Sequence, residues 1–408
     1  MTSGPDPRAI RVLYLAHRVP YAPNRGDRIR AYHSLRVLRQ AGIRAHVVAF
    51  AHDDSEHSSA SRLGEVAESY DVLRLPQWRN RIRAGLALAG STPLTHVLLD
   101  HPDARARLAA RIASFDPHVV ISFCSGMARL AIEPPCDSLP FVLDMVDVDS
   151  AKWRDLSLAA AWPLRYVYAR EATCLARFER AASDRADSVL VINQREAEEL
   201  STIAPSAPVR VVPNGVDVPY FQRPPQSSRN PQVVFTAVFD YPPNEAGAIW
   251  TIADVWPKVL ASHPDAELVL AGARPTPALQ RLAARSPHVT VTGAVDDIRP
   301  HLWSARVAIA PLAVSRGTQN KVLEAVAAGL RGVVTPSVAE GLPPSVLEWC
   351  SVAGTPEAFA AAVSRSLDSE ASPPEGSLDA LRWESALEPL VERVRAAAET
   401  GGRVRSAR

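Results

Sequence analysis

The sequence predicts an α/β protein of two domains, each built on a parallel sheet covered by helices. Its 408 residues exceed the roughly 250–300 residues at which a single hydrophobic core usually stops growing. Short β-branched runs alternate with longer helical patterns, as in parallel sheets flanked by helices. A Pro-rich stretch without periodicity, residues 219–231, separates two such series and is typical of a linker.

The first half carries apolar runs of strand length, each followed by turn-forming residues. Predicted strands cover residues 10–16, 45–50, 72–75, 118–123, 141–145, 188–192 and 209–212. Helical patterns fill most gaps, and the longest runs from about residue 150 to about residue 183. These elements define a first domain of residues 1–218.

The alternation restarts after the linker, with predicted strands at residues 232–238, 266–271, 288–292, 306–310 and 332–335. Helices are predicted at residues 244–261, 277–284, 296–303 and 319–328. They define a second domain of residues 232–375. Residues 376–408 carry a last helix, predicted at about 378–398, and a tail, and this helix either closes the second domain or crosses back to the first.

Composition and charge disfavour several kinds of partner and site. A net charge of +1 disfavours nucleic acid as a partner. Four cysteines without CxxC spacing indicate reduced thiols rather than a zinc site or a disulfide framework. No run approaches the roughly 18 apolar residues that span a bilayer. We therefore expect a cytoplasmic protein, with peripheral contact at the inner face of the membrane left open.

The most informative stretch is residues 316–329, where a glycine turn precedes a helix that carries one cation and one carboxylate. Gly317 can adopt backbone conformations closed to other residues, and the free N–H groups of a helix start attract anions. Spacing places Gly317, Lys321 and Glu324 on one face. This pattern predicts a binding site for a nucleotide sugar. The alternative is an ordinary amphipathic helix with solvated Lys and Glu.

Two loops in the first half have a functional and a structural interpretation. In residues 20–30, Gly26 precedes a helix for which Asp27 is a plausible N-cap, so the loop either borders a substrate or is a simple turn. Residues 144–149 contain the Asp-x-Asp pair Asp147 and Asp149. Such a pair binds a metal–nucleotide complex, serves the acceptor side of a site or caps the next helix, and we expect no metal.

The helix after this pair interleaves aromatic and cationic residues. They are Lys152, Trp153, Arg154, Trp162, Arg165, Tyr166, Tyr168 and Arg170. The pattern suits a membrane interface or a lipid-linked ligand, and it suits equally a long helix with one packed face.

These segments together resemble retaining glycosyltransferases of family 4, which have the GT-B fold. The resemblance rests on the order and spacing of residues 212–217, 264–272, 291–296 and 321–329. Residues 24–30, 147–150 and 316–321 look more narrowly like a bacterial sugar-transferase subgroup found with exopolysaccharide and PEP-CTERM/exosortase loci. The family implies two Rossmann-like domains facing each other across a cleft.

The resemblance also implies roles. The second domain would bind a nucleotide-diphosphate sugar as donor substrate, with no further cofactor, and the first would bind a glycan, lipid-linked or small-molecule acceptor. From the chemistry of the leaving group rather than from the resemblance, we expect Arg316 and Lys321 to stabilise the departing diphosphate, and we expect Asp147 as a third catalytic residue. Donor contacts would come from Gly317, Thr318, Gln319, Asn320, Glu324, Gly293 and Val295, and acceptor contacts from Asn24, Gly26, Asp27 and Asp149.

Two positions depart from the family pattern. Arg316 stands where relatives often carry a second glutamate, and residues 236–240 lack the basic residue common there. A non-catalytic nucleotide-sugar-binding scaffold and a nucleotide-sugar epimerase or hydrolase therefore remain alternatives. A dinucleotide oxidoreductase is disfavoured because no GxGxxG follows residues 10–16 or 232–238.

Overall fold

The chain folds into two compact units. The computed structural model describes residues 9–21, 26–225, 229–369, 373–374 and 376–406. One unit comprises residues 1–213 and 387–408, and the other comprises residues 214–386. The predicted linker, residues 219–231, thus falls inside the second unit, and the helix at the end of the chain belongs to the first.

The first unit contains a seven-stranded parallel sheet in the order β3-β2-β1-β4-β5-β6-β7. Its strands are β1 (Arg11–Ala16), β2 (Arg44–Ala51), β3 (Ser69–Arg74), β4 (Val119–Phe123), β5 (Phe141–Val146), β6 (Ser188–Val191) and β7 (Val209–Val211). The strand order reverses between β1 and β4. Every residue of β4 is buried, as expected for a central strand covered on both faces.

Helices surround this sheet. They are α1 (Gly26–Gln40), α2 (Asp54–Ser58), a 3₁₀ helix (Ser59–Glu65), α3 (Gln77–Ala87), α4 (Leu94–Leu98), α5 (Ala104–Phe115), α6 (Ser125–Ile132), α7 (Asp149–Ala159), α8 (Leu164–Arg185) and α9 (Gln194–Ile203). Helix α1 contains Asp27, so the prediction of Asp27 as the N-cap before this helix is wrong. The helix predicted at 150–183 is two helices, because Pro163 lacks the N–H that an unbroken helix requires.

The second unit contains a six-stranded parallel sheet in the order β10-β9-β8-β11-β12-β13. Its strands are β8 (Gln232–Thr236), β9 (Glu267–Ala271), β10 (Val289–Gly293), β11 (Val307–Ala310), β12 (Arg331–Val334) and β13 (Cys350–Val352). Strand β13 was not predicted, because three edge residues without an apolar run give no strand signal. The order reverses between β8 and β11.

The remaining helices follow in chain order. They are α10 (Val218–Phe221), α11 (Pro242–Trp250), a π-helical turn (Thr251–Val255), α12 (Trp256–Ser262), α13 (Pro277–Ala283), α14 (Arg299–Ser304), α15 (Asn320–Ala327), α16 (Pro336–Ala339), α17 (Pro344–Leu347), α18 (Pro356–Leu367), a 3₁₀ turn (Asp379–Leu381), α19 (Trp383–Ala386) and α20 (Glu388–Ser406). Two parallel sheets, each covered by helices, confirm the predicted α/β class.

A buried ion pair ties the first unit together. The Arg30 guanidinium on α1 donates from Nη2 to Asp144 Oδ1 on β5 at 2.9 Å, and both side chains are 1% exposed. Its Nη1 donates to the carbonyls of Val212 and Pro213 at 2.9 and 3.2 Å. The charges are thus both paired and hydrogen-bonded, which is the condition under which burial of ions is tolerated.

We expect Asp144→Asn to destabilise the fold by about 3–5 kcal/mol, because it leaves the Arg30 charge buried without a counterion. Urea denaturation of the full chain measures this loss. The matched control is Asp116→Asn, which opens the Arg11–Asp116 pair whose carboxylate is 64% exposed and should cost below about 1 kcal/mol. Equal losses in the two variants would contradict the role given to the buried pair.

Candidate functional site

The candidate site lies at the carboxyl end of the second sheet, where the strand order reverses. Residues 237–241 follow β8 and residues 311–319 follow β11, so their loops flank this reversal. In open parallel sheets such a point forms a crevice outside the strand ends, and ligands bind there. The segment singled out in the sequence begins in the second of these loops.

Hydrogen bonds within the second unit hold this loop in one shape. Gly317 has a φ of +65°, a left-handed conformation that favours glycine. Thr318 Oγ1 donates to the Gly341 carbonyl at 2.9 Å, and Gln319 Nε2 donates to Ser315 Oγ at 2.9 Å. The side chains of Thr318 and Gln319 therefore stabilise the turn. The backbone N–H groups at the start of α15 are the part of this segment suited to bind an anion.

The Asn214-Gly215 turn hydrogen-bonds to Asn320, the first residue of α15. Asn214 is buried, and its Nδ2 donates to Asn320 Oδ1 at 2.8 Å. A Cβ on Gly215 would lie 2.6 Å from Trp383 Cα, so this turn is closely packed. The sequence identified Asn-Gly only as a turn. The turn in fact supports the helix start, and the Asn320 amide is engaged by it.

The Lys321 ammonium group contacts residues of α11 and β8. Its Nζ donates to Asn244 Oδ1 at 2.9 Å and lies 4.9 Å from the centre of the Phe235 ring. Burial lowers the pKa of Lys321 to about 8, against the opposing effect of the Glu324 carboxylate. Asn244 also donates from Nδ2 to the Val238 carbonyl at 2.9 Å. Asn244 thus connects the β8 loop to the lysine, a role that nothing in the local sequence signals.

Glu324 lies one turn further along the same face of α15. Burial raises its pKa to about 7, and Lys321 opposes this shift. Among the residues that the structure describes, no donor hydrogen-bonds to its carboxylate. A half-buried carboxylate of this kind is a suitable acceptor for hydroxyl groups. Gly317 precedes the helix, so the predicted shared face holds for Lys321 and Glu324 alone.

Two arginines lie in loops at this edge of the sheet. Arg316 is half-buried beside Gly317. The loop after β8 has no basic residue of its own, and Arg274, which follows β9, places its Nε 2.9 Å from Asp240 Oδ2 in that loop. Arg274 has a φ of +54°. Pattern matching along the β8 segment could not find it, because it lies in another loop.

Gly293 and Val295 lie at the far side of the same sheet edge. Gly293 ends β10, which is separated from β11 by β9 and β8. At about 4.8 Å per strand, β10 and β11 lie roughly 14 Å apart. Gly293 has a φ of +71°, and a Cβ there would meet nothing within 4 Å. The space beside the Gly293 backbone is therefore unoccupied by other described residues.

In the first unit, Asp147 follows the end of β5 in a buried acidic environment. Val146 has a φ of +67°, unusual for a β-branched residue and a mark of local backbone strain. Asp147 Oδ1 is buried without a hydrogen-bond partner among the described residues. Burial first, and then the Glu196 and Asp149 carboxylates, raise the pKa of Asp147 to about 7.

Asp149 has a structural partner. Its Oδ2 accepts a hydrogen bond from Ser125 Oγ at 2.6 Å, which ties the start of α7 to the start of α6. Gly26 and Asp27 lie in the first turn of α1, and Asn24 lies outside the described residues. No group of three or more His, Cys, Asp or Glu side chains within the described ranges has a metal-binding arrangement.

Comparison with known proteins adds a family match in the second unit. Residues 230–369 match the family model described as Glycosyl transferases group 1. No curated protein sequence matches the chain significantly.

Solved structures share the fold. The chain is similar to Anabaena Alr3699/HepE in complex with UDP and glucose, with 13% identity, a TM-score of 0.58, and 98% of this chain and 100% of that chain covered. It is similar to WaaG, a glycosyltransferase involved in lipopolysaccharide biosynthesis, with 13% identity, a TM-score of 0.58 and 95% of each chain covered. A putative UDP-N-acetylglucosamine 2-epimerase from Listeria monocytogenes has 12% identity, a TM-score of 0.54 and 96% of each chain covered. These likenesses confirm the predicted GT-B class of fold.

The raised pKa of Glu324 gives a testable pH dependence. The ordinary pKa is 4.5 and the folded value is about 7, so the folded state binds the proton more tightly than the unfolded state does. This contribution to stability is complete below pH 4.5 and is lost as the pH rises to about 7. We expect Glu324→Gln to gain stability relative to the parent chain as the pH rises through this window.

Urea denaturation at several pH values between these limits measures the difference. The control is Glu357→Gln, because backbone hydrogen bonding and Lys258 hold the pKa of that exposed carboxyl below its ordinary value. Its stability relative to the parent chain should stay constant over the same window. A constant difference for Glu324→Gln as well would contradict the desolvation of Glu324.

Proposed function

We propose that this chain is a glycosyltransferase that moves a sugar from a nucleoside-diphosphate donor to an acceptor, with retention of anomeric configuration. The observation that carries the proposal is the placement of Lys321 and Glu324 about one turn apart on α15, after the Gly317 turn at the strand-order reversal. The match of residues 230–369 to the glycosyltransferase group 1 model supports it. The UDP and glucose in the complex of the Anabaena protein support a nucleotide-sugar donor.

In this proposal the donor extends along the carboxyl edge of the second sheet. The base lies against the backbone of Gly293 and Val295, and the ribose hydroxyls donate to Glu324. The diphosphate meets the N–H groups at the start of α15. Arg316 provides a planar, permanently charged fork suited to a diphosphate, in place of the glutamate that the family pattern carries there.

The reaction mainly requires stabilisation of the leaving group. As the bond between the sugar and the diphosphate breaks, negative charge grows on the phosphate oxygens, and preorganised cations and N–H donors lower that barrier. Lys321 is held by Asn244, so little reorganisation is needed when the charge develops. Retention follows if the acceptor attacks from the face that the diphosphate leaves, with a phosphate oxygen assisting its deprotonation.

Asp147 is our candidate for an acceptor-side catalytic residue in the first unit. Its carboxyl has a pKa raised to about 7 by burial and by neighbouring carboxylates, and this suits a group that exchanges a proton near neutral pH. The acceptor is a glycan, a lipid-linked glycan or a small molecule. The resemblance to the exopolysaccharide-associated subgroup favours surface-glycan assembly in the cytoplasm, without a metal or further cofactor.

Two alternatives remain, and one experiment separates them. The chain is incubated with a panel of nucleoside-diphosphate sugars, with and without candidate acceptors, and free nucleotide and sugar products are measured. A transferase releases nucleotide in step with acceptor glycosylation, and NMR of the product gives its anomeric configuration. An epimerase, as suggested by the fold shared with the Listeria monocytogenes protein, or a hydrolase consumes donor without acceptor. A scaffold binds donor without turnover, and a chelator tests metal independence.

We expect Lys321→Ala to lower turnover about a hundredfold or more, because it removes a preorganised cation near the leaving group. Glu324→Ala should weaken donor binding about tenfold or more through loss of a charged hydrogen-bond acceptor. Turnover and calorimetric donor titration measure the two effects. Lys258→Ala is the matched control, because it removes an exposed lysine paired with Glu357 in the same unit. Activity at the parent level in both test variants would refute the proposed role of Lys321 and Glu324 in donor binding and turnover.

For Asp147→Asn we expect acceptor-dependent turnover to fall about a hundredfold while donor affinity is unchanged, because the donor binds in the other unit. The parent enzyme should also lose activity as the pH falls through about 7, where the Asp147 carboxylate takes up its proton. Asp184→Asn, which alters an exposed carboxylate 3.8 Å from Arg180, is the control. An unchanged pH profile in Asp147→Asn would remove this residue from the mechanism.

A further inference from the structure

Helix α3 presents an apolar stripe to solvent. Trp78, Ile82 and Leu86 are 74%, 59% and 77% exposed. They are spaced four residues apart and therefore lie on one side of the helix. Large apolar side chains that are exposed in a contiguous stripe mark interaction surfaces, whereas single exposed ones are ordinary.

The orientation of this helix is fixed. Asn80, on its opposite side, is fully buried, and its Nδ2 donates to the carbonyls of Leu98 and Asp100 at 3.1 and 2.7 Å. Arg83 pairs with the Asp100 carboxylate at 2.5 Å. These contacts prevent the stripe from rotating into the core, so its exposure is a property of the folded unit.

A second apolar segment lies next to the end of α3. It runs from the end of α7 through the connection to the first turn of α8. Four of its large side chains are exposed: Leu158 (70%), Trp162 (79%), Leu164 (52%) and Tyr166 (67%). Arg170 lies one turn after Tyr166, and its Nη2 donates to the carbonyls of Ala87, Gly90 and Thr92 at 2.7, 2.6 and 2.8 Å. This arginine joins α8 to the segment that follows α3. We call the two segments together the α3–α8 surface.

The charged side chains of the α3–α8 surface are positive. Neither residues 77–99 nor residues 156–170 contain an aspartate or a glutamate. Arg79, Arg81 and Arg165 are exposed, and none of them forms an ion pair with another described residue. The surface therefore combines Trp and Tyr side chains, aliphatic residues and unpaired guanidinium groups.

We infer that the α3–α8 surface docks this protein onto an anionic lipid surface. Tryptophan and tyrosine rings prefer the boundary between acyl chains and headgroups, where arginines reach the lipid phosphates. Anionic headgroups attract cations close to the membrane, and the uncompensated charge of this surface complements them. Shallow docking of this kind needs no spanning helix, and within the described ranges no helix is long and apolar enough to cross a membrane. The inference does not rest on the proposed glycosyl transfer.

Flotation of the full chain with vesicles tests this inference. One set is made of phosphatidylcholine alone, and the other is an equal mixture of phosphatidylcholine and phosphatidylglycerol. We expect binding to the mixed vesicles that weakens with added salt. The double variant Ile82→Gln with Leu86→Gln should bind about tenfold more weakly or worse, because it removes two side chains that would enter the interface. The double variant Arg79→Gln with Arg81→Gln should lose most of the preference for mixed vesicles.

Matched controls lie in the second unit. Val352→Gln removes a valine that is 52% exposed, and the double variant Arg281→Gln with Arg285→Gln removes two exposed arginines. Both should bind vesicles as the parent chain does, and circular dichroism confirms that every variant is folded. Equal binding by the stripe variants and the parent chain, or no binding to either vesicle, overturns the inference. So does sedimentation showing that the parent chain, but not the stripe variants, self-associates without lipid. Because the readout is lipid binding, it remains valid if no glycosyl transfer is found.

Discussion

The candidate site of the second unit depends on a desolvated ammonium group. Removing the Lys321 charge from water is costly, and Asn244 Oδ1, the Phe235 ring and the Glu324 carboxylate together offset that cost. The three partners come from β8, α11 and α15, so the lysine links the elements on both sides of the strand-order reversal. A positive charge that is already oriented and partly shielded from water acts strongly on an anion that approaches it.

The sequence predicts the sheets well because each central strand is a short apolar run that is buried on both faces, as in β4 and β9. It locates the Gly317 turn and the Lys321–Glu324 spacing for a similar reason, since both are local patterns. Asn244 was missed because it lies 77 residues from Lys321 in sequence and has no motif of its own. Arg274 was missed because a loop of the adjacent strand supplies it.

Residues with positive φ lie at the carboxyl edges of both sheets. In the second unit Gly317 takes the left-handed conformation beside the candidate site at little energetic cost, and Arg274 takes it in the loop after β9. In the first unit the non-glycine residues Cys124 and Val146 take it, at the carboxyl ends of adjacent strands β4 and β5. Such conformations persist only where the surrounding structure enforces them. Next to Val146 on β5, Asp144 is buried and paired with the Arg30 guanidinium.

The Asn214-Gly215 turn is a potential site of deamidation. Asparagine is a thermolabile residue. Loss of the Asn214 amide nitrogen by deamidation would replace the Nδ2 donor with an acidic oxygen facing Asn320 Oδ1. The close approach of Trp383 to Gly215 restrains the backbone movement that this reaction needs. Prolonged storage under alkaline conditions would therefore damage partly unfolded molecules first, and a slow acidic shift on isoelectric focusing would report that loss.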